Sequence, residues 1–205
     1  MEINPRKTAV IAIHCQGDII GESGAQAPFF YEQVRQRRIV SQVRSLLDQA
    51  RTTGATVIYT RVAFKPDYSD LNANSPLLQA VAQAGCLKDG SPLADIVPEL
   101  APQEGDSVIT HTRVGGFTPE LAAILEKRNL DTVVFCGVAT NVSLESTARV
   151  ATDRGYRVVV VEDACSASTL QAHQASIESL RLLGQIANIS ELEWIPAEDE
   201  ANLPA

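Results

Sequence analysis

Only three histidines, one tryptophan and one methionine occur among the 205 residues, and aromatic side chains make up 5% of the chain. With imidazoles this scarce, each histidine position is informative. Basic residues are also short, 17 against 25 acidic ones, and the resulting charge of −8 argues against nucleic acid or an anionic membrane as a partner. No apolar run approaches the roughly 20 residues of a membrane span. The opening MEINPRKTAVIAIH lacks the layout of a secretory signal, so a cytoplasmic location is expected. The four cysteines, at positions 15, 86, 136 and 165, form no C-x-x-C pair and no short-chain disulfide pattern, and are expected to be reduced thiols. Repeats and low-complexity tracts are absent, which excludes solenoid and fibrous architectures. No metal or cofactor is expected, and a small-molecule ligand is the default partner.

What is present is a globular composition, 45% hydrophobic and 20% charged, on a chain long enough for a large core. It reads as one domain over residues 1–195, followed by an acidic, proline-containing tail, 196–205, expected to be mobile. Residues 8–13 form a continuous apolar run of strand length ending at His14, and 17–31 carry glycines and a proline and read as a loop. Residues 32–53 are amphipathic at helical spacing and closed by Gly54. A second strand follows at 55–60. Between 61 and 105 the pattern breaks into short pieces, with helices expected after Ser75-Pro76 and Ser91-Pro92. Long connections of this kind often wall a ligand site, and Phe64, Tyr68 and Asn72 are its candidate contacts, set against an equally weighted reading as a solvated connector. Strands at 107–110, 132–135, 156–161 and 185–189 alternate with helices at 119–128, 142–154 and 170–183. Such alternation implies a three-layer, doubly wound, Rossmann-like parallel sheet of five or six strands with helices on both faces. Strand order is not readable from the sequence.

The chain is organised around residues 135–149, FCGVATNVSLESTAR. A β-branched run reaches Gly137 and then a Thr-Asn pair able to cap a helix, so the stretch reads as strand, sharp turn and helix, with Ser143 in the first helical turn. In a parallel sheet, such a turn lies at the carboxyl edge, where helix starts offer N–H groups to developing negative charge. His14 and His111 also follow strands directly. Topology therefore brings all three side chains to one edge.

GVATNVSLESTAR, with ATDRGYRVVVVEDACSAST after it, closely resembles the signature of the isochorismatase-like cysteine hydrolases, a superfamily that includes nicotinamidase and N-carbamoylsarcosine amidohydrolase. AVIAIHCQGD and SVITHTRVGGF resemble its first-strand and third-strand segments, so the likeness spans roughly residues 8–190. The resemblance implies a hydrolase that usually forms dimers or tetramers and uses an aspartate, a lysine and a cysteine. At the matching positions this chain has His14, His111 and Ser143. It also implies an oxyanion site at Ala139 and Ser143, with a cis peptide before Ala139, and a pocket aromatic at Phe117. Gln16 and Asp18 match its loop-organising frame. Arg149, Asp153, Asp163 and His173 match positions read as structural.

A serine hydroxyl is a far weaker acid than a thiol and needs an adjacent base to take its proton during attack. Histidine, with an ordinary pKa of about 6.5, suits that task. The residues leave open whether His111 or His14 is the base, the other then orienting it or protonating the leaving group. A serine early in a helix is more often a cap, and a histidine at a strand end more often bonds locally. The joint placement of two of only three histidines ranks a substituted hydrolase ahead of a binding-only protein. Vinyl-ether hydrolysis of the isochorismatase type, which the resemblance ties to the missing aspartate and lysine, ranks third. A zinc site on the two histidines ranks low, because the family's Asp-His-His metal pattern is missing around residues 59–65. Cys15 adjoins His14, but strand alternation turns neighbours to opposite faces and removes it as a nucleophile.

Overall fold

Six strands, all parallel, form the central sheet of the computed structural model, which describes residues 1–195. In chain order the strands are β1 Glu2–Ile3, β2 Thr8–Ile13, β3 Thr56–Val62, β4 Ser107–His111, β5 Thr132–Val138, β6 Arg157–Ser166, β7 Gln185–Ala187 and β8 Glu193–Trp194. β2 to β7 make the main sheet in the order β4-β3-β2-β5-β6-β7, and β1 pairs with β8 in a separate ribbon that sequence patterning did not anticipate. The expected mobile tail lies outside the described residues. Among those residues, no helix is long and apolar enough to cross a membrane.

Every residue of β2 and of β5 is buried, which explains their unbroken apolar character: central parallel strands are covered on both faces. Alternation along the strands sorts the core into two layers. Val10, Ala12, Val57, Tyr59, Val134 and Cys136 pack with α2 Ala27–Gln36, α3 Ile39–Thr53 and α4 Pro76–Ala84. Ile11, Ile13, Ile58, Val133 and Phe135 pack on the opposite face with α5 Pro119–Lys127, α6 Glu145–Asp153 and α7 Leu170–Leu180. The result is the three-layer doubly wound arrangement. The chain enters at β2, proceeds outward to β3 and β4, and returns to β5 on β2's other side. The switch point lies between β2 and β5, where the crevice outside the carboxyl ends suits a ligand.

Several local expectations need correction. The stretch 17–31 is largely helical: α1 Gly17–Ile20 is a single turn, and α2 starts with Pro28 in its first turn, where a missing N–H costs nothing. The helix expected over 32–53 is instead two helices meeting at Arg37 and Arg38, the latter left-handed at φ 55°. No glycine or proline marks that junction; tertiary contacts of Arg37 hold it. Ser75 caps α4 as expected, accepting the Leu78 N–H at 3.3 Å, whereas Ser91-Pro92 starts only a 3-10 turn, Pro92–Ala94. β6 runs on through residues expected to be loop, because Cys165 and Ser166 pair with Gly137 and Val138 after a register shift.

Candidate active site

The turn after β5 is shaped by close approach to β2. Gly137 sits at φ 110°, and a Cβ there would collide with the Ile13 carbonyl, so only glycine fits. The Val138–Ala139 peptide is cis. The capped α-helical start expected at the Thr-Asn pair is absent: residues Thr140–Leu144 form a π-helical turn, the Ala139 carbonyl accepts from the Val142 and Leu144 N–H groups, and α6 begins at Glu145. Ser143 is buried, with 7% of its surface exposed. Its carbonyl accepts the Thr147 hydroxyl at 2.6 Å, and among the described residues its own hydroxyl makes no hydrogen bond.

Thr147 ties this turn to the loop that follows β4. Its Oγ1 accepts the Gly116 N–H at 2.8 Å while donating to Ser143. A Cβ at Gly115 would come within 2.6 Å of Ser146 Oγ, so the two glycines let the loop lie against the start of α6. Gly116 also closes over Thr60, whose fully buried Oγ1 has no hydrogen-bond partner among the described residues.

His14 and His111 meet at this edge. His14 ends β2 in a left-handed conformation, φ 49°, with its N–H bonded to the Thr60 carbonyl at 3.0 Å. His111 ends β4 and reaches across the end of β3. The two Nε2 atoms lie 3.1 Å apart and the ring centroids 5.1 Å, with both rings buried. One nitrogen must donate and the other accept. His111 Nδ1 accepts the Arg113 N–H at 3.4 Å, which places the proton of a neutral His111 on Nε2 and makes it the donor. His14 Nε2 then accepts, and its proton sits on Nδ1, which has no partner among the described residues. Burial lowers both pKa values, that of His111 to about 4 and that of His14 well below 6.5, with the neighbouring imidazole a second cause for His14. Both rings are therefore neutral at pH 7. Among the described residues, no cluster of three His, Cys, Asp or Glu side chains stands ready for a metal ion.

The third histidine braces the turn from the other side. His173, on α7, lies 2.8 Å from Thr140 Oγ1 through Nδ1 and 3.0 Å from an Arg37 amino group through Nε2. Sequence reasoning noted the likeness at His173 and missed Arg37 altogether. Gln16 and Asp18 organise loops, as the resemblance implied. The Gln16 amide bonds the carbonyls of Val62 and Ala94 and the Val62 N–H, all within 2.7 Å, and Asp18 accepts the Leu87 N–H at 2.7 Å. Asp163 accepts the Ile189 N–H, and Arg149 pairs with Glu145 on α6. Cys15 is buried in the α3-side core, its thiol pushed up to about 12 by burial, and all four cysteines are free and buried.

A cavity of about 390 Å³ adjoins His111, lined also by Phe64, Lys65, Asp70, Asp89 and Thr112. Phe64 thus borders the cavity, though its ring is wholly buried. Tyr68 donates to the Cys86 carbonyl at 2.7 Å, and Asn72 is exposed on the connector; neither lines the cavity. Phe117 stacks on Tyr156 at 5.9 Å beneath Arg154. A larger cavity of about 560 Å³, lined by Tyr31, Arg35, Arg38 and Arg44 among others, shares no residue with the first.

A doubly wound α/β protein with a strand–turn–helix at its switch point and titratable side chains converging beside it has the architecture of a protein that takes a small ligand at its carboxyl edge. The chain belongs to the isochorismatase family of hydrolases: the isochorismatase domain matches residues 8–191. It is 31% identical to the isochorismatase family protein YwoC of Bacillus subtilis over 180 residues, 86% of this chain and 87% of that one. It is 30% identical to the ureidoacrylate amidohydrolase RutB of Rhizobium rhizogenes over 177 residues, 79% of this chain and 71% of that one. The solved structure of a cysteine hydrolase from Pseudomonas syringae pv. phaseolicola superposes with a TM-score of 0.83 at 28% identity, covering 92% of each chain.

Proposed function

We propose that the chain hydrolyses an amide, ureido or ester bond of a small molecule, with Ser143 as nucleophile and the His14–His111 pair as one proton-handling unit. The observation that carries this reading is the buried Nε2–Nε2 contact of 3.1 Å at the carboxyl edge. The likeness to an amidohydrolase of ureidoacrylate supports the bond class.

In the resting tautomer neither imidazole offers a free lone pair. Reversal of the pair takes three proton movements: solvent takes one from His14 Nδ1, the shared proton crosses from His111 Nε2 to His14 Nε2, and solvent returns one to His111 Nδ1, so the charge is unchanged and only the long 3.4 Å contact from Arg113 is opposed. His14 Nε2–H then donates to His111, and His14 Nδ1 is free to take the Ser143 proton as Oγ bonds to the substrate carbonyl carbon. The resulting imidazolium is held by the His111 lone pair, the orienting role that the third member of a Ser-His triad fills. The same proton passes to the leaving nitrogen or oxygen as its bond to the carbonyl carbon breaks. Water, deprotonated by the same pair, then releases the acyl group. Ala139 and Ser143 N–H groups serve the oxyanion.

The unpartnered Ser143 hydroxyl favours a second reading, in which the cleft binds a ligand without turnover. Steady-state hydrolysis of activated aryl esters and small ureido acids separates the two. If the pair activates Ser143, then Ser143→Ala, His111→Ala and the double variant all fall to one residual rate, because groups acting as a unit do not add. A slow rate unchanged by Ser143→Ala supports binding alone.

A further inference from the structure

We propose that Arg37 is a positioning residue for the turn that carries Ser143, acting through His173 on the Thr140 hydroxyl. This rests on the reading of that turn as the reactive centre. Arg37 stands at the junction of α2 and α3 and directs its donors to buried and half-buried acceptors on β6 and α7. Its Nε donates to the Cys165 carbonyl at 3.1 Å, and one amino group donates to the Glu162 carbonyl at 2.9 Å and to His173 Nε2 at 3.0 Å. A guanidinium only donates, so His173 Nε2 must be the lone-pair nitrogen. The ring proton is thereby fixed on Nδ1, where it donates to Thr140 Oγ1 at 2.8 Å.

Thr140 is fully buried and is the first residue of the π-helical turn, three positions before Ser143. Its carbonyl accepts the Glu145 N–H, and Ser176 Oγ of the same helix as His173, 3.1 Å from that carbonyl, gives its one proton to Glu145 Oε2 at 2.5 Å. The Thr140 hydroxyl is thus tied to α7 through His173, and the direction of that bond is decided at Arg37. Without the guanidinium, His173 is free to carry its proton on Nε2. Nδ1 then accepts, the Thr140 hydroxyl must reverse, and the turn loses a directed donor.

The test uses Ser143→Cys as a reporter, with iodoacetamide alkylation assigned to position 143 by peptide mass mapping, because Cys86 at 5% exposure is nearly as accessible as position 143 at 7%, while the other three cysteines are wholly buried. In that background His173→Asn keeps an N–H near the Nδ1 position for Thr140, whereas His173→Gln keeps an acceptor for Arg37 and loses that donor. The labelling rate is expected to change by about tenfold or more for His173→Gln and for Arg37→Met, as misplaced reactive groups do. His173→Asn should stay near the parent rate. The near-isosteric Thr140→Val should reproduce the His173→Gln change, and combining the two should add nothing; it carries the test if His173→Gln fails to fold. Parent-like labelling in all variants, with only the unfolding temperature lowered, overturns the proposal and leaves Arg37 a strut for the helix junction. Failure of the nucleophile reading is separately visible, as hydrolysis that survives Ser143→Ala.

Discussion

Two buried histidine sites flank the switch point and differ in one respect. At His173 the partner is a guanidinium, which cannot give up its donor role, so the tautomer is fixed. At His14 and His111 the partner is another imidazole, so either ring can donate. Burial lowers the pKa at both places, and His173 and His111 each fall to about 4. At His173 the Arg37 charge adds to burial, yet under the proposed mechanism one ring is a brace and the other a proton carrier. What separates them is the chemistry of the neighbour.

The largest effect should come from breaking the mobile site. His14→Asn should lower the rate of ester or ureido hydrolysis on the order of a thousandfold, the scale of removing a base from a Ser-His unit. His173→Asn, which keeps the donor to Thr140, should retain most of the rate in the same assay.

Acid should weaken both sites alike. An unfolded histidine takes its proton near pH 6.5, while folded His111 and His173 do so only near 4. Between those values the unfolded chain binds more protons, so stability is intact above about pH 6.5 and falls as pH drops toward 4. The loss approaches roughly 3 kcal/mol for His111 at the acid end. Urea unfolding at several pH values would read it, and unchanged midpoints down to about pH 4 would contradict the burial assigned to these rings. Catalysis follows the same sign but only at the pair, since the base works when neutral. The hydrolysis rate should therefore stay level through about pH 6.5 and fall only at lower pH.

Away from both sites the effects shrink. Gln16→Ala strands buried backbone groups of Val62 and Ala94 and should cost about 2 to 3 kcal/mol in chemical denaturation. Arg149→Ala breaks an i,i+4 pair with Glu145 whose arginine is half exposed, and should cost about 0.5 kcal/mol or less.

The sequence already contained the sheet and the meeting of His14 with His111, because β-branched runs mark the strands and parallel topology carries their ends to one edge. The resemblance added the cis peptide before Ala139. What was hidden depends on distant partners. Arg37 finds its acceptors 125 to 136 positions further along the chain, and no local pattern encodes that. The same contacts break the helix expected over 32–53, at a point with no glycine or proline to announce it. Ser143 sits in a π-helical turn, where its hydroxyl is left unpaired, although its sequence neighbours suggest an ordinary capped helix start.

Mass spectrometry of the protein, quenched in acid moments after mixing with an activated ester or a ureido acid, tests the central claim most directly. An acyl or carbamoyl adduct mapped to Ser143, longer-lived in His14→Asn because deacylation needs the same base, is the predicted result. Turnover with no adduct on Ser143, at a rate that Ser143→Ala leaves unchanged, would contradict it.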